Sequence, residues 1–201
     1  MTAEIFTTDK SAPADRRSAG PLDVSEVRDV KPYVDFGAIR IQSREGLEMR
    51  LEVEESTSRI VAVSIDYASS SLQLQAFAAP KNEGVWHEIR AQMKESIAAQ
   101  GGQTQEQIGS LGPELISKIP LTDESGNLSG HRLARFIGVD GPKWFLRGVV
   151  GGAALTDPRA AADIDDLFRS VVVVRDDVPM PPKDLLPLTL PAGTVAQPRV
   201  S

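Results

Sequence analysis

The sequence predicts an α+β fold: an antiparallel sheet of about six to seven strands with two main helices on one face. Three observations predict it. Runs with apolar residues at every second position outnumber runs with helical spacing. The loops joining most of these runs are too short for a parallel crossover, so neighbouring strands must be antiparallel. Two stretches with apolar residues three and four apart interrupt the strands, which yields the order βββ-α-βββ-α-β.

Each element follows from its residues. Leu47, Met49, Leu51 and Val53 alternate with Glu48, Arg50 and Glu52, a strand with one dry and one wet face. Ile60, Val61, Val63 and Ile65 follow the polar turn Glu55-Ser56-Thr57-Ser58, and Leu72, Leu74 and Ala76 follow Ser69-Ser70-Ser71. Val85, Trp86, Ile89, Met93 and Ile97 form a helical stripe, with Asn82 as N-cap and Gly101-Gly102 as the stop. A short helical turn is expected over Thr104 to Ile108. Strands follow over Glu114 to Ile119, Leu133 to Val139 and Lys143 to Val150. A second helix opens with Asp157 as N-cap and Pro158 in its first turn, burying Ala161, Ile164, Leu167 and Phe168. The run Val171 to Val174 reads as a final, fully covered strand.

The chain of 201 residues suits one domain with room for tails. Residues 1–33 lack an apolar period and are expected to be a disordered N-terminal tail, followed by a single α+β domain over 34–177. Residues 178–191 hold five prolines and the apolar Met180, Leu185, Leu186, Leu188 and Leu190, which points to a strap packed on the domain. The other reading is a docking arm for a partner. Residues 192–201 are expected to be a disordered C-terminal tail.

Composition narrows the function. Twenty-two basic against 28 acidic side chains leave a net charge of −6, which speaks against nucleic-acid binding. With no cysteine there is no thiol nucleophile, disulfide or cysteine metal site. No apolar run reaches the roughly 18 residues of a membrane span, and Met1 to Gly20 lacks a signal-peptide layout, so a cytoplasmic protein is expected. No cofactor, metal or catalytic residue is predicted. His87, off the apolar stripe, is expected in solvent, and His131 stands in a Gly/Ser loop. Asp163, Asp165 and Asp166 read as a solvated helix face rather than a cation site. Asp35-Phe36-Gly37 and Gly148-Val149-Val150-Gly151-Gly152 copy parts of nucleotide-site motifs without the residues that complete them.

The binding candidates lie on one hairpin. Asp140-Gly141 reads as a two-residue loop that sets Val139 opposite Pro142. Ile137 then faces Trp144 and Arg135 faces Leu146; on the other side Phe136 meets Phe145 and Ala134 meets Arg147. Each side carries an aromatic ring and an arginine, and a buried guanidinium needs an anion. Arg135, Trp144 and Arg147 are therefore the candidate ligand-binding residues, for an anion or planar group. The competing reading has the arginines snorkel past the sheet edge or pair with a structural acid.

Four blocks carry a resemblance: Arg44-Glu45-Gly46-Leu47, Leu72 to Pro80, Arg135 to Gly148, and Pro179-Met180-Pro181-Pro182. Together they resemble an actinobacterial family, the domain of unknown function 3710, over residues 20–191. The resemblance implies a cytosolic protein of about this size, often encoded near a dUTPase gene, and assigns no catalytic residues. Where the family commonly has Trp-Asp, this chain has Trp86-His87. A looser similarity, in topology only, is to Mog1/PsbP-like domains, which act mainly as binding or assembly modules. The expected function is thus a non-catalytic binding or assembly module with a protein partner left open. The alternative is an enzyme or binder acting on a small anionic metabolite, a nucleotide among them.

Overall fold

The computed structural model describes residues 9 to 192. The expected extreme ends, residues 1–8 and 193–201, lie outside them. Seven strands form the main sheet: β4 (Glu48–Glu54), β5 (Arg59–Tyr67), β6 (Ser70–Ala78), β7 (Gln103–Gly109), β8 (Gly112–Thr122), β9 (Leu128–Asp140) and β10 (Trp144–Gly152). Their order is β4-β5-β6-β10-β9-β8-β7, every pair antiparallel. Two meanders thus meet along β6 and β10. A smaller sheet is built from β1 (Leu22–Asp23), β2 (Tyr33–Asp35), β3 (Ile39–Gln42) and β11 (Val172–Val173), in the order β1-β11-β3-β2.

The predicted α+β class and antiparallel sheet are present, but the two main helices do not share a face. Successive strand residues point to opposite sides of a sheet. Trp144 and Leu146 pack with Ile164, Leu167 and Phe168 of α3 (Pro158–Arg169) and with Ile39, Ile41 and Val173 of the small sheet. This is the inner face, and it holds the main core. Phe145 instead stacks on Trp86 of α2 (Trp86–Ala99), with ring centroids 5.4 Å apart, and on Phe77 at 6.0 Å. Those rings are on the outer face. Both helices carry an apolar stripe that either face could have received; long-range contacts decided the placement.

The segment expected as a tail also differs. From residue 9 onward it is built into the fold, although it has no apolar periodicity. A short helix, α1 (Arg16–Ala19), buries Arg16, whose guanidinium meets both oxygens of Glu26 at 2.8 and 2.7 Å. The same guanidinium lies over the Trp144 ring at 5.7 Å. β1 pairs in parallel with β11, and the amide of Asp140 donates to Ser11 O at 2.8 Å. Charge-assisted hydrogen bonds hold this segment where burial of periodic apolar residues does not, so hydropathy patterning could not reveal it.

Three local expectations change. Thr104 to Ile108 belongs to edge strand β7, paired Thr104↔Ser117 through Ile108↔Pro113, rather than to a helical turn. β7 is an edge strand with no buried side chain, so it needs no strict apolar alternation, and the pattern is correspondingly weak. Val172–Val173 makes a two-residue strand in the small sheet. The hairpin at Asp140 closes with Asp140 opposite Phe145, Leu146 opposite Val139 and Arg147 opposite Gly138. Pro142 has no amide hydrogen and could not close a two-residue loop against Val139, so the turn lengthens. The slip is by an even number of residues, which preserves the sides: Trp144 and Arg135 share one face, Phe136, Phe145 and Arg147 the other.

Residues 183–189 run along β6 and the small sheet. The Leu186 amide donates to Ala76 O at 2.9 Å, the Lys183 amide to Ala78 O at 2.7 Å and the Thr189 amide to Phe36 O at 2.9 Å. Leu186 and Leu188 are buried in the main core. Lys183 to Leu186 occupy the β6 edge where β5, paired only as far as Val63↔Leu74, has diverged, and Leu188 bridges Gly37.

Candidate functional site: the open outer face of the main sheet

The three predicted site residues separate. Trp144 is fully buried on the inner face, and its indole Nε1 donates to Asp23 Oδ2 at 2.9 Å. Burial alone would push the Asp23 carboxyl up, but hydrogen bonds from Ser25 and Trp144 and the Arg16 charge hold it below the ordinary value. Trp144 therefore offers no free ring face. Arg135 is also on the inner face. Its Nε and Nη2 reach Glu114 Oε2 at 2.9 and 2.7 Å, and its Nη1 meets Asp165 Oδ1 at 2.9 Å. Burial would lower its pKa, yet hydrogen bonds to Glu114 and Asp165 and their charges raise it. The structural-acid reading holds for Arg135, and Asp165 accordingly turns inward from the helix face expected to be solvated.

Arg147 has a different environment. It projects from β10 on the outer face, where its guanidinium carbon lies 5.2 Å from the centroid of Phe77 and its Nη2 donates to Gln75 Oε1. No carboxylate among the described residues pairs with it, and its buried Nε has no hydrogen-bond partner. Burial therefore lowers its pKa with nothing to offset the shift. A desolvated cation without an anion is costly.

Arg147 lines an open groove of about 600 Å³. The cross-strand row Phe136–Val149–Gln73–Ser64–Arg50 forms its floor. Helix α2 packs on β7–β9 and on Phe145 of β10, and it leaves open the part of the outer face formed by β4–β6 together with Ile119, Phe136 and Val149. Its polar side chains satisfy one another: Glu52 accepts from Ser64 Oγ and from Gln73 Nε2, and Arg50 meets Asp66 at 2.5 Å. Phe136 and Val149 form the apolar end of this floor, with Ile119 beyond them, and all three are half-buried.

The helix on the outer face, α2, is anchored from afar. Asn82 does not cap it. Asp140, at the end of β9, accepts from the Val85 amide at 2.9 Å and from the Ser11 amide at 2.9 Å. Burial raises the Asp140 carboxyl above its ordinary range, partly countered by the Val85, Ser11 and Trp86 amides. A side chain 55 residues from the helix start gives no N-cap signal in the sequence. Trp86 can stack on Phe145 because Gly138 beneath it has no Cβ, which would lie 2.7 Å from both rings.

His87 is half-buried rather than solvated, and His131 is exposed on β9. Among the described residues no group of three His, Asp or Glu side chains could hold a metal ion. No helix among them is long and apolar enough to cross a membrane.

The family described as "Protein of unknown function (DUF3710)" matches residues 20–197. The chain belongs to this family. Within this DUF3710 chain the matched span takes in all eleven strands, Arg147 and both sides of the groove. No curated protein matches the chain. Among solved structures, the chain is similar to the solution structure of cyanobacterial PsbP (CyanoP) from Synechocystis sp. PCC 6803. That similarity has 14% identity and a TM-score of 0.39, and covers 68% of this chain and 86% of that one.

Proposed function

We propose that this DUF3710 protein is a binding module whose working surface is the open outer face of the main sheet, with Arg147 anchoring a small anion. One observation carries the reading: a largely buried guanidinium that has an aromatic shelf and an amide neighbour but no carboxylate among the described residues. A carboxylate or phosphate oxygen approaching the guanidinium would supply the missing charge through a charge-assisted hydrogen bond. The groove is of the size that small ligands occupy and opens directly beside the cation. Binding and positioning are what this arrangement supports, and the proposal assigns no bond-making step.

Titration of the full chain with inorganic phosphate and a panel of small carboxylates, followed by amide shifts in NMR, tests it. Saturable shifts are expected at Arg147, Gln75 and Phe77. In Arg147→Gln they should vanish while the remaining spectrum stays native. Anion binding that survives this substitution unchanged would overturn the assignment.

A further inference from the structure

We infer that the anion bound at Arg147 carries an extended apolar body, which lies along Phe136, Val149 and Ile119. The inference rests on the Arg147 reading above and specifies the ligand class: an elongated anion with a hydrocarbon portion, such as a carboxylate with an alkyl or alicyclic tail. It follows from what the groove leaves unmet. On the β4–β6 side, Glu52 is hydrogen-bonded to Ser64 and Gln73, and Arg50 is paired with Asp66. Gln75 is committed at both ends, its Nε2 donating to Val61 O at 3.2 Å and its Oε1 accepting from Arg147. A polar ligand would have to break these contacts to gain its own.

What remains available is the half-buried cation of Arg147 beside an apolar strip, with the solvent-exposed Arg132 opposite Ile119 at its far end. Val149 neighbours Arg147 on the same face of β10, two residues along, and Phe136 stands opposite Val149 on β9. Ile119 extends the strip toward the outer end of β8, where Leu121 also points outward and is 43% exposed. Small residues leave room above the floor beyond Val149, since Ala134 and Gly151 follow on the same face. The ligand would thus enter with its charge toward α2 and its tail pointing away from the helix.

Chain length is the variable that tests this. Inorganic phosphate, acetate, butyrate, hexanoate and octanoate are titrated into the full chain and followed by NMR and calorimetry. Affinity is expected to rise about two- to fourfold per added methylene, as burial of each one on apolar surface dictates. The growing shifts should fall on Val149, Phe136 and then Ile119. Val149→Thr keeps the shape of the strip and should weaken octanoate about threefold while leaving phosphate and acetate unchanged. A series flat in chain length, with binding still lost in Arg147→Gln, would overturn the apolar-tail inference and leave the anion site standing. Tail-dependent binding that persists in Arg147→Gln would overturn the inference in the opposite way, because the charge would not set the register. If none of the anions binds, both readings fail.

Discussion

Replacing Arg135 or Arg147 by methionine should give opposite outcomes. Arg135 neutralises Glu114, whose side chain is 3% exposed, and also meets Asp165. Removing the arginine strands a buried carboxylate, and such one-sided breaks cost about 3–5 kcal/mol. For a domain of this size that corresponds to a fall of roughly 6–20 °C in Tm, at about 2–4 °C per kcal/mol. Arg147 has no carboxylate to strand. Arg147→Met loses a cation–π contact worth about 0.5–1 kcal/mol and a charged hydrogen bond worth about 1.5–3 kcal/mol. It also removes a desolvation penalty of several kcal/mol, so the net change is expected to stay within about 1 kcal/mol of zero. Urea unfolding of both variants measures the difference directly. Adding Glu114→Gln to Arg135→Met should recover much of the loss, because the stranded charge is then gone. Equal losses above about 3 kcal/mol for both arginines would refute the distinction and remove the reason for placing a ligand at Arg147.

Other outcomes follow from the packing. Gly138→Ala would drive a methyl against Trp86 and Phe145 and should cost about 1–3 kcal/mol, with loss of the near-ultraviolet tryptophan signal as α2 lifts. Leu186→Ala should cost about 2–4 kcal/mol in denaturant unfolding, since Leu186 is 3% exposed in the core. Asp140 has a folded pKa above its unfolded one, so its stabilising contribution is complete below the unfolded pKa and is lost as pH rises through the folded value. Asp140→Asn should flatten that part of the stability-versus-pH curve, and an unchanged slope in melts across acid to neutral pH would contradict the assignment. Glu26 runs the other way: burial would raise its pKa, but Arg16 and the Asp23 amide lower it. Its contribution is present above the unfolded pKa and lost as pH falls through the folded value, so Glu26→Gln should melt with a shallower loss on acidification.

Much of the site can be read from residue order alone. Alternation has period two, so the side on which each hairpin residue stands survived a register slip of an even number of residues. Arg147 with Phe136 and Phe145, and Arg135 with Trp144, were therefore separable without coordinates. What distinguishes the two arginines is not local. Glu114 lies 21 residues before Arg135, and Asp165 arrives on a helix that crosses the inner face. No spacing rule connects these three groups.

The amino-acid order by itself determined the strand periods, the antiparallel pairing of short-looped neighbours, the capped start of α3 at Asp157 and Pro158, and the two-sided character of β10. These depend on side-chain alternation, loop length and backbone chemistry, which act over a few residues. Only the tertiary structure decided that α2 and α3 cover opposite faces, that Asp140 caps α2, that an unpatterned N-terminal segment closes over Trp144, and that one arginine is paired while another is not. Those outcomes turn on charge pairing and packing between segments far apart in the chain, where the free energy depends on which surfaces meet rather than on which residues follow one another.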